Sequence, residues 1–527
     1  MERKAVEERL MPIVWVAVLA YGASQIAIYA TGGRPTAAFS FAPLLFLLLI
    51  VLGFGRRPET PRVGRGVWLP LLPFALFTIW YLFKRLFGEF SLAPILFHLQ
   101  YELESNGLFL DFLRRISAML LPFLLVGVAW WQLSARRSIL RTAGEALFFP
   151  LLVLNPFSFG IADYVREAHA QSSVDLLAHY REPPAARSAE RQPNLIHIYL
   201  ESTERTLWNE TVFGDIAAPL KRLESQGFSA TGIEQVKLTN WTLAGQVASS
   251  CGVPLLSVGL LRGNRYDHAE TIMPEAACLS DILARDGYEM TFMKAAGIAF
   301  AGTDTFLESH GYTRWLGFHE LGANYPAASN PWGLDDEDLF DAAWQEISRL
   351  RDARRPYAVT LTTLGGHAPE GYVSRSCLKD PAITALANTT LKAFACTNRL
   401  AAAFVDRLAA AGHLEDTIVV LQSDHLAMRN HVYETLKTLD RRNSFIMLGP
   451  GITPGLQSGA RASLVDIYPT ILEALGYSLP DGRAALGVSL LSQRETLLRQ
   501  IGLNRLNRAI LSDSALRDRL WGLHRSM

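Results

Sequence analysis

Three observations predict a chain in two parts, an N-terminal α-helical membrane domain of about five transmembrane helices followed by an extracytoplasmic α/β domain. Half of the 527 residues are hydrophobic and only 19% are charged, an apolar excess for a soluble protein, and the excess is concentrated in the first third. After Asn194, short β-rich runs alternate with helical patterns. All four cysteines lie in that second part.

The apolar runs come first along the chain. "MPIVWVAVLAYGASQIAIYA", "FAPLLFLLLIVLGFG", "VWLPLLPFALFTIWYLF", "SAMLLPFLLVGVAWW" and "ALFFPLLVLNPFSFGIA" are separated by short polar or arginine-bearing connections. Crossing the hydrocarbon core takes roughly 20 mainly apolar residues, so the spans are expected over 11–31, 38–54, 67–84, 117–133 and 145–163 of a membrane domain 1–165. Arginines beside span ends are retained in the cytoplasm. "GRRPETPRVGRG" and "ARRSILR" therefore set the N-terminus inside and everything after about Val165 outside.

Cysteine placement gives an independent argument, because disulfides persist in oxidising compartments. Cys251, Cys278, Cys377 and Cys396 all fall on the outer side. Four cysteines allow three connectivities, and proximity favours Cys251 with Cys278 and Cys377 with Cys396; four reduced, buried thiols are the other possibility.

A proline-bearing linker, "HYREPPAARSAERQP", lies within 166–193, and a catalytic-sized domain is expected over 194–492. The tail 493–527 has leucines and isoleucines at helical spacing among arginines. It reads as an amphipathic helix lying on a membrane surface or packed on the domain. Within 194–492, "NLIHIYL", "EMTFMKA", "YAVTLTTL", "TIVVLQ" and "SFIMLG" read as strands, while "LFDAAWQEISRLRDA" and "RLAAAFVDRLAAAG" read as helices. That alternation predicts a sheet with helices on both faces.

Ligands of open α/β sheets sit beyond the carboxyl ends of the strands. Glu201 follows "NLIHIYL", Asp424 and His425 follow "TIVVLQ" and a serine, and His367 follows shortly after "YAVTLTTL". Two carboxylates and two imidazoles thus converge on one edge. This oxygen and nitrogen set suits a divalent transition metal such as Mn²⁺ or Zn²⁺ better than Ca²⁺. Thr242, at the start of the small-residue helix "TLAGQVASSC", reads either as an ordinary helix cap or as a nucleophile whose hydroxyl a nearby dication activates. Ala244 and Gly245 would let a phosphate approach the amides of that helix start.

The strings "NLIHIYLESTERT", "WTLAGQVASSCGVPL", "CLSDIL", "FAGTDTFLESHGY", "PWGLDDEDLFD", "HAPEGYVSRSC" and "SDHLAM" resemble, in order, the motifs of the phosphoglycerol transferase I family over about residues 190–490. That family stands with the lipoteichoic acid synthases and phosphoethanolamine transferases in the alkaline-phosphatase and sulfatase superfamily. The resemblance implies an alkaline-phosphatase/sulfatase-like α/β fold. It implies that Thr242 is nucleophile and metal ligand, with Glu201, Asp424 and His425 completing the metal site. It implies that His367 contacts the phosphoryl group or protonates the leaving alkoxide, that Trp332 of the "WG" pair lines the site or binds the acceptor, and that Arg205 neutralises phosphate. A salt bridge from Arg205 to Glu204 or another acid is the simpler alternative. Where lipoteichoic acid synthase carries a tryptophan and an arginine for glycerol phosphate, Ala301 and Thr303 stand in a small "FAG" stretch like that of phosphoglycerol transferase I.

The expected activity is transfer of phosphoglycerol from phosphatidylglycerol to a periplasmic glucan through a threonine-linked intermediate, releasing diacylglycerol. The expected cofactor is one divalent metal ion, manganese ahead of magnesium or zinc. The expected location is a bacterial inner membrane, with the catalytic domain in the periplasm. A phosphoethanolamine transferase is the alternative, and a catalytically inactive membrane-anchored sensor the remaining one. Sulfatase activity needs a cysteine or serine followed two residues later by proline or alanine and then arginine, and "SCGVPLL" lacks that arrangement. A formal net charge of zero and the lack of a P-loop argue against nucleic-acid and nucleotide partners.

Overall fold

The computed structural model describes residues 71–87, 138–169, 174–183, 187, 192–256, 271–325, 332–459 and 461–523. The chain divides into two compact units, Met1–Leu92 with Gly107–Val165 and Ala93–Asn106 with Arg166–Met527. The described N-terminal helices are α1 (Leu71–Phe87), α2 (Ser138–Val153) and α3 (Pro156–His169). Residues 145–163, expected as one span, are two helices. The break falls before Pro156, which has no N–H to continue a helix, and the Asn155 side chain accepts from the Phe157 amide at 2.9 Å and donates to the Pro73 carbonyl at 2.6 Å. The expected third span falls largely on α1, while those at 11–31, 38–54 and 117–133 lie outside the described residues. Among the described residues no helix is long and apolar enough to cross a membrane. Phe149, Leu151, Val153 and Leu154 at the end of α2 are nonetheless exposed.

The second unit is built on an eight-stranded sheet of β1 (Asn194–Leu200), β2 (Phe228–Ala230), β3 (Glu289–Lys294), β4 (Arg314–Leu316), β5 (Tyr357–Thr362), β6 (Thr417–Ser423), β7 (Phe445–Leu448) and β8 (Gly455–Gln457). Their spatial order is β4-β3-β5-β1-β6-β7-β2-β8. From β4 to β6 neighbouring strands are parallel, and β7 is antiparallel to β6. The five runs read as strands are the five adjacent strands β3, β5, β1, β6 and β7. The strands that sequence pattern missed, β2, β4 and β8, are three residues long, too short to show a period.

Every residue of β1, β5 and β6 is buried, as expected for parallel strands covered on both faces. On one face Leu195, Phe292, Ala358 and Val420 pack with Leu243 and Val247 of α4 (Thr242–Cys251) and Leu279 and Leu283 of α5 (Leu279–Arg285). On the other face Ile196, Ile198, Val359 and Val419 pack with residues of two long helices. Beyond the short α6 (Thr303–Ser309), these are α7 (Asp336–Asp352), through Leu339 and Ile347, and α8 (Thr389–Ala410), through Phe394 and Val405. Each such buried aliphatic side chain contributes about 1.5–3 kcal/mol.

The structure closes two disulfides, Cys251–Cys278 between the end of α4 and the cap of α5, and Cys377–Cys396, which ties a loop to α8. The expected single tail helix is three: α9 (Leu497–Ile501), α10 (Leu503–Ser512) and α11 (Ser514–Leu520). Gly502, at φ 81°, breaks the first from the second, and the Asp513 carboxylate caps the third by accepting from Leu516 N at 2.9 Å. Their apolar residues, among them Leu498, Leu506, Ile510 and Leu516, are buried in the core. Part of the expected linker is also ordered, with Leu176 fully buried and Arg181 bridged to Ala485.

Candidate active site

The register places Lys294, Thr362, Tyr199 and Gln422 side by side across β3, β5, β1 and β6. The chain segments that leave this row carry the polar residues of the site. Glu201 leaves β1, and Asp424 and His425 leave β6. One ligand atom from each of the three lies within 4.8 Å of the others, and all three residues are buried. His425 Nε2 is 3.5 Å from Glu201 Oε1 and 3.4 Å from Asp424 Oδ2.

Neighbouring backbone fixes these side chains. Asp424 Oδ1 accepts from the amides of Ser202 and His425 at 2.9 and 2.8 Å, and Ser202 holds a positive φ of 56° to bring its amide there, a conformation that costs a non-glycine residue free energy. His425 Nδ1 faces the Leu426 carbonyl at 2.8 Å. A carbonyl can only accept, so Nδ1 carries the proton and the lone pair of neutral imidazole sits on Nε2. The loop beyond is held by Gln235, which accepts from Leu426 N, and by Glu204, which accepts from Ala427 N and pairs with Arg441.

Thr242 joins this cluster from the helix side. The N-cap of α4 is Trp241, so Thr242 is the first helical residue and its hydroxyl is not spent on a cap; the cap reading is overturned. Its Oγ1 donates instead to Glu201 Oε2 at 3.2 Å. The amides of Thr242, Leu243 and Ala244 lie in the first turn, where no partner within the helix is available. Two glycines permit the close assembly. A Cβ on Gly245 would stand 1.8 Å from the Asp424 carbonyl oxygen, and one on Gly366 would stand 2.0 Å from that of Glu201.

The chemistry of this donor set fits a divalent cation. Asp424 Oδ2 and His425 Nε2 are buried and have no hydrogen-bond partner among the described residues, although unpartnered buried polar atoms are costly. Burial and the Glu201 carboxylate push the Asp424 carboxyl up to about 8, as expected of two acids sharing a buried site. Burial works to lower His425, but Asp424 and Glu201 outweigh it and hold the imidazole above its ordinary value.

His367 follows β5 on the loop that Asp336 supports by accepting from the Leu364 and Gly365 amides at 2.7 and 3.1 Å. Its Nδ1 faces the Ala368 carbonyl at 2.8 Å, and its ring lies 4.2 Å from that of Trp332. Trp332 Nε1 donates to the Tyr372 hydroxyl at 2.8 Å. Burial lowers His367, with Glu201 acting in the opposite direction. His367 is not among the three residues grouped around one point. Arg205 does not join them either. Its guanidinium pairs with Glu224 and lies 4.3 Å from the centre of the Trp208 ring, and Glu204, the simpler partner considered for it, is taken by Arg441. Sequence reasoning passed over Lys294, Asp336 and Ser202, and gave Glu204 a different partner. A lysine closing an otherwise uncharged, buried strand end was the visible signal for the first; the others act through long-range hydrogen bonds that leave no local pattern.

Comparison with known proteins places this geometry in context. Phosphoglycerol transferase I of Escherichia coli (strain 55989 / EAEC) and that of Shigella boydii serotype 18 (strain CDC 3083-94 / BS512) are each 31% identical over 407 residues, 76% of this chain and 52% of theirs. The chain thus spans about half the length of the curated relatives it matches. A lipoteichoic acid synthase from Listeria monocytogenes superposes with a TM-score of 0.48 at 16% identity, covering 68% of this chain and 97% of that one. The sulfatase family model matches residues 193–477, more than half of the chain and the whole of the sheet with its strand-end cluster, and the chain belongs to the sulfatase family.

Proposed function

We propose that the protein is a membrane-anchored, metal-dependent phosphoglycerol transferase that moves phosphoglycerol from phosphatidylglycerol to a periplasmic glucan. The observation that carries the reading is the Thr242 hydroxyl, first in its helix and donating to Glu201 beside the buried Asp424 and His425. The similarity to phosphoglycerol transferase I supplies the head group. Glu201, Asp424, His425 and Thr242 would hold the divalent cation, manganese ahead of magnesium or zinc, whose charge acidifies the hydroxyl and attracts phosphoryl oxygens. The two disulfides support an oxidising compartment, and the exposed apolar end of α2 supports the membrane anchor.

The reaction is two displacements. Thr242 Oγ1 gives its proton to Glu201 and bonds to phosphorus, the bond from phosphorus to the diacylglycerol oxygen breaks, and His367, entering the cycle as the imidazolium, delivers its Nε2 proton to that oxygen. Phosphoglycerol is then linked to Thr242. In the second displacement His367 takes the proton of a glucan hydroxyl, the new oxygen bonds to phosphorus, the Thr242 oxygen leaves, and Glu201 returns its proton. Proton count and charge are restored after each cycle. The amides at the start of α4 hold the phosphoryl oxygens, and Trp332 lines the side where the acceptor enters.

The test is incubation of the full chain with head-group-labelled phosphatidylglycerol and glucan, with and without added Mn²⁺. Labelled glucan and diacylglycerol should form in equal amounts. Thr242→Ala should lower the rate by at least about 1,000-fold with unfolding temperature preserved; turnover retained in that variant removes Thr242 as nucleophile.

A further inference from the structure

Lys294 has no part in the mechanism above, yet it is the last residue of β3 and only 5% exposed. An ammonium has three protons to place, and a buried one without acceptors is expensive. Its Nζ donates to Thr303 Oγ1 at 3.1 Å, and Thr303 gives its own proton to the Phe300 carbonyl at 3.0 Å. That fixes Thr303 as an acceptor and orients the ammonium, which also lies 5.4 Å from the centre of the Phe300 ring. No other hydrogen bond of this ammonium is formed among the described residues, and two of its protons remain to be placed.

Its position is informative. β3, β5, β1 and β6 stand next to one another and end on the same side, so Lys294, the His367 loop, Glu201 and Asp424 follow in that order along one edge. β3 and β1 are two strand spacings apart, about 10 Å, close to the span of an extended phosphoglycerol, about 6 Å from phosphorus to its far hydroxyl, plus one hydrogen bond of about 3 Å. The charge of Lys294 is felt by Glu201 and Asp424 on one side and by His367 between them. Phe300 in turn packs edge-on against Trp332 at 5.6 Å, and Trp332 against His367, so one aromatic wall links the lysine to the reacting end.

We propose that Lys294, oriented by Thr303, is the specificity residue for the transferred head group: it donates to the hydroxyls of a neutral polyol phosphate and excludes, by like charge, a head group that carries its own ammonium. This deepens the phosphoglycerol-transferase reading and rests on it. Discrimination by placing a repulsive charge against the wrong ligand is a general route to specificity. Burial draws the lysine down to about 8, with Glu201, Asp424 and Asp304 acting the other way.

The experiment compares the full wild-type chain with Lys294→Met and Lys294→Arg at pH 7. Transfer is measured from vesicles of phosphatidylglycerol and, separately, of phosphatidylethanolamine, and thermal shift with sn-glycerol 1-phosphate and with phosphoethanolamine gives a ratio that does not depend on turnover. Lys294→Met should reduce the glycerol-over-ethanolamine preference about 10- to 100-fold, the scale of two like charges about 6–12 Å apart at an effective dielectric of about 20. Lys294→Arg should keep most of it. The unfolding temperature of Lys294→Met should hold or rise, because an under-bonded buried cation has been removed. An unchanged preference in Lys294→Met, or an equal loss with both ligands accompanied by a lower unfolding temperature, overturns the proposal. If the wild-type chain transfers neither head group while thermal shift still shows the Lys294-dependent preference, the transferase reading fails and the head-group site stands.

Discussion

Two clusters in the second unit bring a histidine and an aspartate together with a third potential ligand, and only one of them is chemically open. In the Cys278, Asp281 and His310 group, Cys278 is bonded to Cys251, Asp281 Oδ2 accepts from the Cys278 amide at 2.8 Å, and His310 uses both ring nitrogens, on Asp281 at 2.9 Å and on the Ile272 carbonyl at 2.8 Å. In the Glu201, Asp424 and His425 group, Asp424 Oδ2 and His425 Nε2 have no hydrogen-bond partner among the described residues. Both groups bring their ligand atoms within 4.8 Å of one another, so proximity does not distinguish a structural cluster from a ligand site. Accounting for every lone pair and proton does. The two clusters are also joined, because the Cys251–Cys278 bridge runs from the closed one to the far end of the Thr242 helix.

The largest effect that would break this contrast is expected at Asp424. Asp424→Asn should abolish Mn²⁺ retention after gel filtration and lower transfer by at least about 1,000-fold. It should leave the unfolding temperature of the metal-free protein equal or higher, since a buried like-charge pair has been relieved. A fall in that temperature would mean that the open cluster is structural after all.

The closed cluster makes the opposite forecast. Replacing Cys251 and Cys278 with serine opens a loop with a sequence separation of 27, which the chain-entropy estimate puts at about 3–4 kcal/mol of stability. Denaturant unfolding should show that loss, while the Mn²⁺ dissociation constant stays within about threefold of the wild-type value. A metal affinity that collapsed with the bridge would show that the two clusters are one site.

A third histidine sharpens the distinction. His197, on β1, is buried, has no hydrogen-bond partner for Nε2 among the described residues, and is lowered by burial to about 4, with Gln422 acting the other way. A histidine lowered in the folded state contributes stability that is present above its unfolded value of about 6.5 and is lost as pH falls towards 4. The second unit should therefore lose about 3 kcal/mol across that window from this residue. His197→Phe should flatten the profile between pH 6.5 and 4, and an acid limb of undiminished slope in that variant would assign the loss to other groups.

The legibility of the sequence followed the range of the physics. "NLIHIYL" and "TIVVLQ" read as strands because parallel strands covered on both faces are continuous apolar runs, and the residues just beyond them could be placed at one edge by topology alone. The cap alternative for Thr242 fell one position off, because Trp241 takes the cap without any side-chain bond that a sequence rule would detect. Arg205 was placed near phosphate by its motif, but its partner Glu224 comes from a different element. The tail looked like one amphipathic helix, since its leucine spacing runs through; Gly502 and Asp513 divide it.

By itself, then, the sequence determined the five adjacent strands of the sheet and the edge at which Glu201, His367, Asp424 and His425 emerge, because hydrophobic periodicity and strand ends are local properties of the chain. Only the tertiary structure decided which polar atoms are left without partners, that Thr242 reaches Glu201, and that Lys294 stands on the same edge with protons to spare. Those outcomes depend on hydrogen-bond partners brought from hundreds of residues away, such as Ser202 with Asp424 and Glu204 with Arg441, and on glycines whose missing Cβ lets two backbones touch.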